Sequence, residues 1–396
     1  MSNTLVTVDM VTRAALDIAH EKLSFIGTIN RDYDDSFAKK AFKIGDSLRI
    51  RSPNQFTRRT GSRIMNVQDQ AEATQTLTVA TQDGVDMRFN GAELALSIEE
   101  FSERYIEPAV SVLVAGVEGD VLADVTKKVY NTVGSAGTVV GTGGDIAPIV
   151  NARAKLNQYL APKDNRRAVQ LDSITMGSVV NGLKSLFHDG TQIKEAFREG
   201  QIARNSMADW YENEKTWTMT NGSDVACTLD TYTVINGDSD LTVTSFATPT
   251  AGMVFTIAGA YAVHPETKAA YDHLQQFTVL SGSTATNILC SPTIYLSGPK
   301  QNVSATPTTT AALTFWGSAS TPYRQNLMYH KDAFTFVTAD LPIMAESEKC
   351  VRRVKDGLAL RVWKGSDIRN DEMLMRIDIL YGWLAQRPEW ACRISN

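Results

Sequence analysis

Two imidazoles and two carboxylates fall within ten residues at His264, Glu266, Asp272 and His273. These are side chains that hold zinc when three or four of them converge on one point. Here they lie in a polar stretch without a ligand-pair spacing, and His264 precedes Pro265, which biases it toward an extended turn. A turn is the expected role, not a metal site. Asp238-Ser239-Asp240 opens like a calcium loop, but no glutamate completes the full pattern, so a turn between strands is expected again. Gly141-Thr142-Gly143-Gly144 has the small residues of a phosphate cradle. A cradle needs the GxGxxG spacing after a strand, whereas this run follows a helical pattern and reads as a flexible loop. The chain has no GxSxG elbow, no P-loop and no HExxH, and none of its five histidines stands beside a Ser or Cys nucleophile. The apparatus of nucleophilic catalysis is therefore not visible. The expectation is a protein that is not an enzyme, with no cofactor and no metal.

The elements around these residues say more. At 396 residues, the chain holds two to three domains at roughly 150 residues each. Its net charge of −5 argues against a surface devoted to nucleic acid, so any DNA contact must be local. Cys227, Cys290, Cys350 and Cys392 show no CxxC spacing and read as reduced thiols of a protein made in the cytosol. The first residues lack a basic region followed by an apolar one, so no signal peptide is expected. No stretch approaches the roughly 20 apolar residues of a membrane span.

Val8, Val11, Ala15, Ile18, Ala19, Leu23 and Ile26 recur at helical steps, which predicts an amphipathic helix over 8–29. From Gly45 to about Phe89, Leu48-Arg49-Ile50-Arg51 and Leu77-Thr78-Val79-Ala80 alternate around a long polar stretch. The pattern is that of an extended hairpin leaving the body of the protein, marginal alone and in need of a partner surface. Ser97-Ile98-Glu99-Glu100 is a capping box that starts a long helix, expected to run to about Val133. Phe101, Tyr105, Ala109, Leu113, Val117, Val121, Val125 and Val129 form a row at four-residue steps. Such a row drifts by about 40° per step, so different neighbours must bury different parts of it. Pro108 should bend this helix, or break it in two.

A glycine-rich loop over 134–147 precedes a helix from Ile149 to Leu160, a strand at Ala168–Leu171, and helix and loop over 176–203. From Thr216 to about Trp316, short alternating runs such as Leu241-Thr242-Val243 and Phe277-Thr278-Val279-Leu280 are punctuated by Asn236-Gly237 and Ser281-Gly282. That is a small all-β domain. Strands resume at Ala333–Val337 and Leu358–Val362, with a last long one at Met375–Tyr381. The fold class is α+β, a mixed body interrupted by a β insertion.

Charge is uneven along this frame. Residues 45–66 hold Arg49, Arg51, Arg58, Arg59 and Arg63 against Asp46 alone, a net +4. Residues 8–35 are net −3 and include Asp32, Asp34 and Asp35, and the β insertion is net −4. Ordinary solvated faces would explain this. The sharper reading is that the basic hairpin lies on an acidic surface of a neighbouring subunit, where complementary charge fixes register.

The order of features resembles the tailed-bacteriophage major capsid proteins, specifically the short-tailed-phage coat branch with an inserted β-barrel domain. The residues that carry the resemblance begin with Asn30-Arg31-Asp32-Tyr33, the run Lys43 to Pro53 and the capped helix at Ser97. Phe197 to Ile202, Arg376-Ile377-Asp378-Ile379-Leu380-Tyr381-Gly382-Trp383 and Arg387-Pro388-Glu389 complete the series. The resemblance implies an N-terminal arm (1–35), an extended hairpin or E-loop (36–94), a spine helix of a peripheral domain (95–133) and an axial domain in two parts (134–215 and 317–356). It further implies an inserted barrel (216–316) and C-terminal strands (357–396). It implies hexamers and pentamers in an icosahedral shell assembled in the host cytoplasm, and as partners a scaffolding protein, a portal protein, decoration proteins and packaged double-stranded DNA on the inner surface. The lysine–asparagine cross-link of some members is not assigned here. A nanocompartment shell, a cytosolic α+β enzyme with an accessory β domain and a secreted adhesin are the competing readings.

Overall fold

The computed structural model describes residues 8–31, 47–59, 61, 67, 73–90, 102–183, 208–244, 246–247, 249–343, 349–355, 358–367 and 372–396. In chain order its elements begin with α1 (Val8–Lys22), α2 (Phe25–Thr28), β1 (Ser47–Arg51), β2 (Thr74–Thr78) and β3 (Thr81–Asn90). A π-turn at Ser102–Ile106 leads into α3 (Glu107–Lys128), followed by β4 (Thr132–Val133), α4 (Ala147–Gln158), β5 (Arg167–Leu171) and α5 (Ser173–Leu183). Next come β6 (Asp209–Glu212), β7 (Thr218–Thr220), β8 (Ala226–Thr228), β9 (Asp238–Thr242), β10 (Val254–Val263), β11 (Ala270–Val279), β12 (Asn287–Ile294) and β13 (Ala312–Phe315). The chain closes with β14 (Pro322–His330), β15 (Phe334–Ala339), β16 (Lys349–Lys355), β17 (Leu358–Asp367), β18 (Glu372–Ala385) and β19 (Ala391–Ser395). It divides into two compact units, the first Met1–Ile50, Thr74–Val121 and Phe334–Leu384, the second Arg51–Ala73, Leu122–Ala333 and Ala385–Asn396.

The first unit is built on a sheet ordered β15-β18-β17-β16, with β3 paired to β18 from Thr81↔Tyr381 to Asn90↔Glu372. Helix α1 packs on β16 and β17 and buries Val11, Ala15 and Ala19 of the expected apolar stripe, together with Leu16. The expected helix over 8–29 is interrupted at Leu23-Ser24, and the cause is a carboxylate. Glu118, fully buried on α3, accepts from Ser24 Oγ at 2.9 Å and from the amide of Phe25 at 2.5 Å. It thereby supplies the cap for a second helix start, a partner that no local pattern reveals.

Helix α3 ends at Lys128, short of the expected Val133, and the capping box at Ser97 lies outside the described residues. Pro108 falls in the first α-helical turn, directly after the π-turn. Proline has no N–H to continue the ladder, and a wider coil, not a break, precedes it here. From Ala109 to Val129 the apolar row is buried, and the division between units falls within it: Leu113 and Val117 belong to the first unit, Val125 and Val129 to the second.

In the second unit a mixed sheet runs β4-β19-β14-β5-β6, with β7 also on β14. Helices α4 and α5 supply Ile149, Leu156, Met176 and Val179 to a core shared with Val169, Met328, Cys392 and Ile394. Because β7 pairs with the start of β14, the chain leaves and re-enters this sheet at one place. Between those strands a six-stranded antiparallel sheet, β8-β13-β10-β11-β12-β9, encloses its own core of Phe246, Phe255, Phe277 and Phe315 among aliphatic residues. Just past the two outer strands, Leu229 and Val243 form an isolated antiparallel bridge.

Candidate functional site

The basic hairpin begins on β1, whose alternation sorts its side chains. Arg49 and Arg51 are exposed, while Leu48 and Ile50 turn inward onto Leu77, Val79, Val337, Ala339, Leu341 and Leu380. The period of two thus separates anchor from charge on one short strand. Beyond β1, Arg58 and Arg59 are also exposed, and Phe56 keeps 57% of its surface. Asp32, Asp34, Asp35 and Arg63 lie outside the described residues.

The root of this hairpin explains one of the resemblance motifs. Gly382 on β18 lies so close under Thr78 that a Cβ there would collide with the Thr78 carbonyl. Its neighbour Tyr381 donates its hydroxyl to Asp83 at 2.6 Å, and burial followed by that carboxylate pushes the phenol above its ordinary pKa. Along the same ladder Arg361, Asp378 and Gly84 stand opposite one another on β17, β18 and β3. Arg361 and Asp378 form a buried ion pair at 2.6 Å, and Arg361 also donates to the Pro342 carbonyl at 3.0 Å. Gly84 is required beside them, since a Cβ there would lie 2.5 Å from Asp378 Oδ1. One step along, Arg376 grips Asp86 with Nε at 2.6 Å and Nη2 at 2.9 Å, and this hydrogen bonding holds the Asp86 carboxyl below its usual range. Two side chains of the run 376–383, Arg376 and Tyr381, therefore secure β3, the strand that follows the hairpin.

Most of the residues that suggested chemistry have structural partners. His264 Nδ1 accepts the amides of Glu266 and Thr267, each at 3.2 Å, closing the turn between β10 and β11. Tyr271 stacks on His273 at 5.3 Å and stands 6.2 Å from His264. Among the described residues, no three potential ligands gather around one point. Asp238 accepts the Tyr232 hydroxyl and the amides of Ile235 and Asp240, so its carboxylate organises a turn. In the glycine run, the amides of Gly141, Thr142 and Gly144 are spent within the loop. Gly141, at φ +92°, sits against the backbone of Ser178 and Val179 on α5. Gly141 thus serves close approach to a helix.

Three groups escaped the sequence reading. Glu118 is a carboxylate inside an apolar helical row, Asp378 an acid inside an apolar strand, and Arg393 a base between Cys392 and Ile394. Each breaks a hydrophobic pattern, which is the signal that would have found them.

The family described as "P22 coat protein – gene protein 5" matches residues 38–393. Among solved structures, that of Mycobacterium phage Che8 aligns with a TM-score of 0.51 at 11% identity, covering 94% of this chain and 90% of that one. The capsid of cyanophage P-SCSP1u aligns at 0.43 and 10% identity over 89% and 83% of the two chains. The CUS-3 coat protein I-domain aligns at 0.20 and 25% identity over 24% of this chain and 97% of its own. Among curated proteins none matches this chain.

Proposed function

The chain belongs to the P22 coat protein family, and on that premise we propose how its copies meet. It is a major capsid protein of a tailed bacteriophage, a structural protein of the virion and not an enzyme, and it forms the shell by association with its own copies. Family membership sets aside the enzyme, nanocompartment and adhesin readings.

The proposed contact is the exposed face of the hairpin. Arg49, Arg51, Arg58, Arg59 and Arg63 of one subunit lie on an acidic surface of the next, with Asp32, Asp34 and Asp35 as their counterparts. The supporting observation is the sorting on β1 and beyond it, where arginines and Phe56 face solvent while the apolar neighbours anchor the root. Arginine and exposed aromatic side chains are residue types that interfaces favour. We read 216–316, which holds the six-stranded sheet of β8 to β13, as the inserted barrel of this branch, 1–35 as the arm, 36–94 as the E-loop and 95–133 as the spine segment. The axial parts are 134–215 and 317–356, and the C-terminal strands 357–396.

We further propose that the copies form hexamers and pentamers on an icosahedral lattice, built in the bacterial cytoplasm around a scaffolding protein with a portal at one vertex. Decoration proteins outside and non-specific DNA contact inside belong to the same proposal. Negative-stain electron microscopy of the protein expressed in bacteria, alone and with scaffold, tests it. Closed shells, tubes or hexamer sheets are expected, and a uniform small particle under every condition contradicts it.

A further inference from the structure

Arg393 lies on the last strand with no exposed surface. Its Nη1 donates to the carbonyl of Gly252 at 2.6 Å, and its Nη2 to the carbonyl of Lys127 at 3.0 Å and to Thr278 Oγ1 at 3.1 Å. Thr278 in turn donates to the same Lys127 carbonyl at 2.9 Å. Lys127 is in the last turn of α3, while Gly252 and Thr278 belong to the six-stranded insertion. Three segments distant in sequence therefore meet at one guanidinium.

The physical logic is that of a helix end. The last carbonyls of an α-helix have no intrahelical partner and carry the negative end of its dipole. A buried cation is tolerated only where acceptors surround it, and this carbonyl stands where a carboxylate would otherwise be needed. Burial still pulls the guanidinium down to about 9. Trp217, at the entry to the insertion, faces Arg393 at 5.9 Å and Lys127 at 5.5 Å. Gly252, at φ +97°, brings its carbonyl in where a Cβ would strike the Trp217 ring.

Further bonds lie beside this point. Gln276 accepts the amide of Thr132 and donates to its carbonyl, both at 3.0 Å, and Tyr159 donates to Gln275 at 2.9 Å. The sequence Gln275-Gln276-Phe277-Thr278-Val279 is thus divided, with Phe277 and Val279 in the insertion's own core and the polar residues reaching the sheet and helix end.

We infer that Arg393 is a latch that joins the β insertion, the C-terminal end of α3 and the last strand into one rigid joint. The insertion does not swing on its connecting strands. It moves with the helix end, and any bending of α3 must lie before its last turn. This concerns the subunit alone and stands whether or not the proposed hairpin contact is correct.

Hydrogen–deuterium exchange on the full unassembled chain tests it. Arg393→Met should speed exchange together at Val129, Gly252 and Arg393's own strand, by about tenfold or more, the factor expected for one lost charge-assisted bond. Arg167→Met removes another buried arginine of the same unit, one tied to the Pro162 and Ala161 carbonyls, and should leave those amides unchanged. If Arg393→Met does not fold, Thr278→Val keeps the shape and removes only the shared hydroxyl, and should give a smaller concerted rise at Val129 and Gly252. A response confined to 391–395, an equal response in Arg167→Met, or no response in Thr278→Val overturns the inference.

Discussion

Arg361 in the first unit and Arg393 in the second are both buried, yet Arg361 meets the carboxylate of Asp378 whereas Arg393 meets two carbonyls and a hydroxyl. The difference follows from what surrounds them. Arg361 sits in a regular ladder, where register places one chosen side chain opposite another, so a partner charge can be specified strand by strand. Arg393 sits where a helix end, a turn and a strand converge, and two of its three oxygen acceptors there are backbone carbonyls left over by secondary structure. An ion pair holds neighbours in a sheet. A carbonyl-bound arginine holds elements that share no ladder.

The largest effect that would break this comparison is on the ion pair. Asp378→Ala leaves Arg361 as an uncompensated buried charge and should cost about 3–5 kcal/mol in the urea unfolding of the subunit. Replacing both partners with apolar residues should cost much less. A single-variant loss below about 1 kcal/mol would show that water or another group already neutralises Arg361.

Glycine substitution sharpens the contrast next. Gly382→Ala places a methyl against the Thr78 carbonyl at the hairpin root and should lower stability by about 1–3 kcal/mol. Gly252→Ala adds backbone strain at positive φ to its clash with Trp217, so it should cost more than Gly382→Ala in the same denaturation series.

A smaller effect is expected where the first unit's charges face water. Arg376 and Asp86 are 47% and 66% exposed, so Arg376→Ala should cost less than about 1 kcal/mol. Because Asp86 titrates below its ordinary value, its contribution is present above the unfolded carboxylate pKa, about 3.9, and is lost as pH falls through the folded value. The difference between wild type and Arg376→Ala should therefore shrink in acid. A difference that grows as pH falls contradicts the pairing.

The smallest response is expected from the buried thiols of the second unit. Burial pushes Cys290 and Cys392 up to about 12, so neither should react with iodoacetamide at neutral pH until the chain unfolds. Half-buried Cys350 in the first unit should label first. Peptide mapping of the labelled subunit decides it.

Much of this architecture is legible in the residues. The row from Ala109 to Val129 shows that one helix must serve two surroundings, and Leu48-Arg49-Ile50-Arg51 shows which side of the hairpin is anchored. The break at Ser24 is not legible, because its cause is Glu118, 94 residues away. The end of α3 is equally hidden: Val129 continues the apolar row, but Thr132 and Val133 are drawn into pairing with β19. The roles of Asp378 and Arg393 depend on register and on a junction between distant segments, which local periodicity does not encode. The five arginines are visible as a cluster in the sequence, but the partner we propose for them lies on another copy of the chain, which no pattern within one chain encodes.

The most direct test of the hairpin contact is electron microscopy of particles assembled from Arg58→Glu/Arg59→Glu beside wild type under identical conditions. The account predicts a folded, soluble subunit that fails to form regular shells, with recovery when Asp34→Arg/Asp35→Arg is added. Normal shells from the double reversal alone would contradict it.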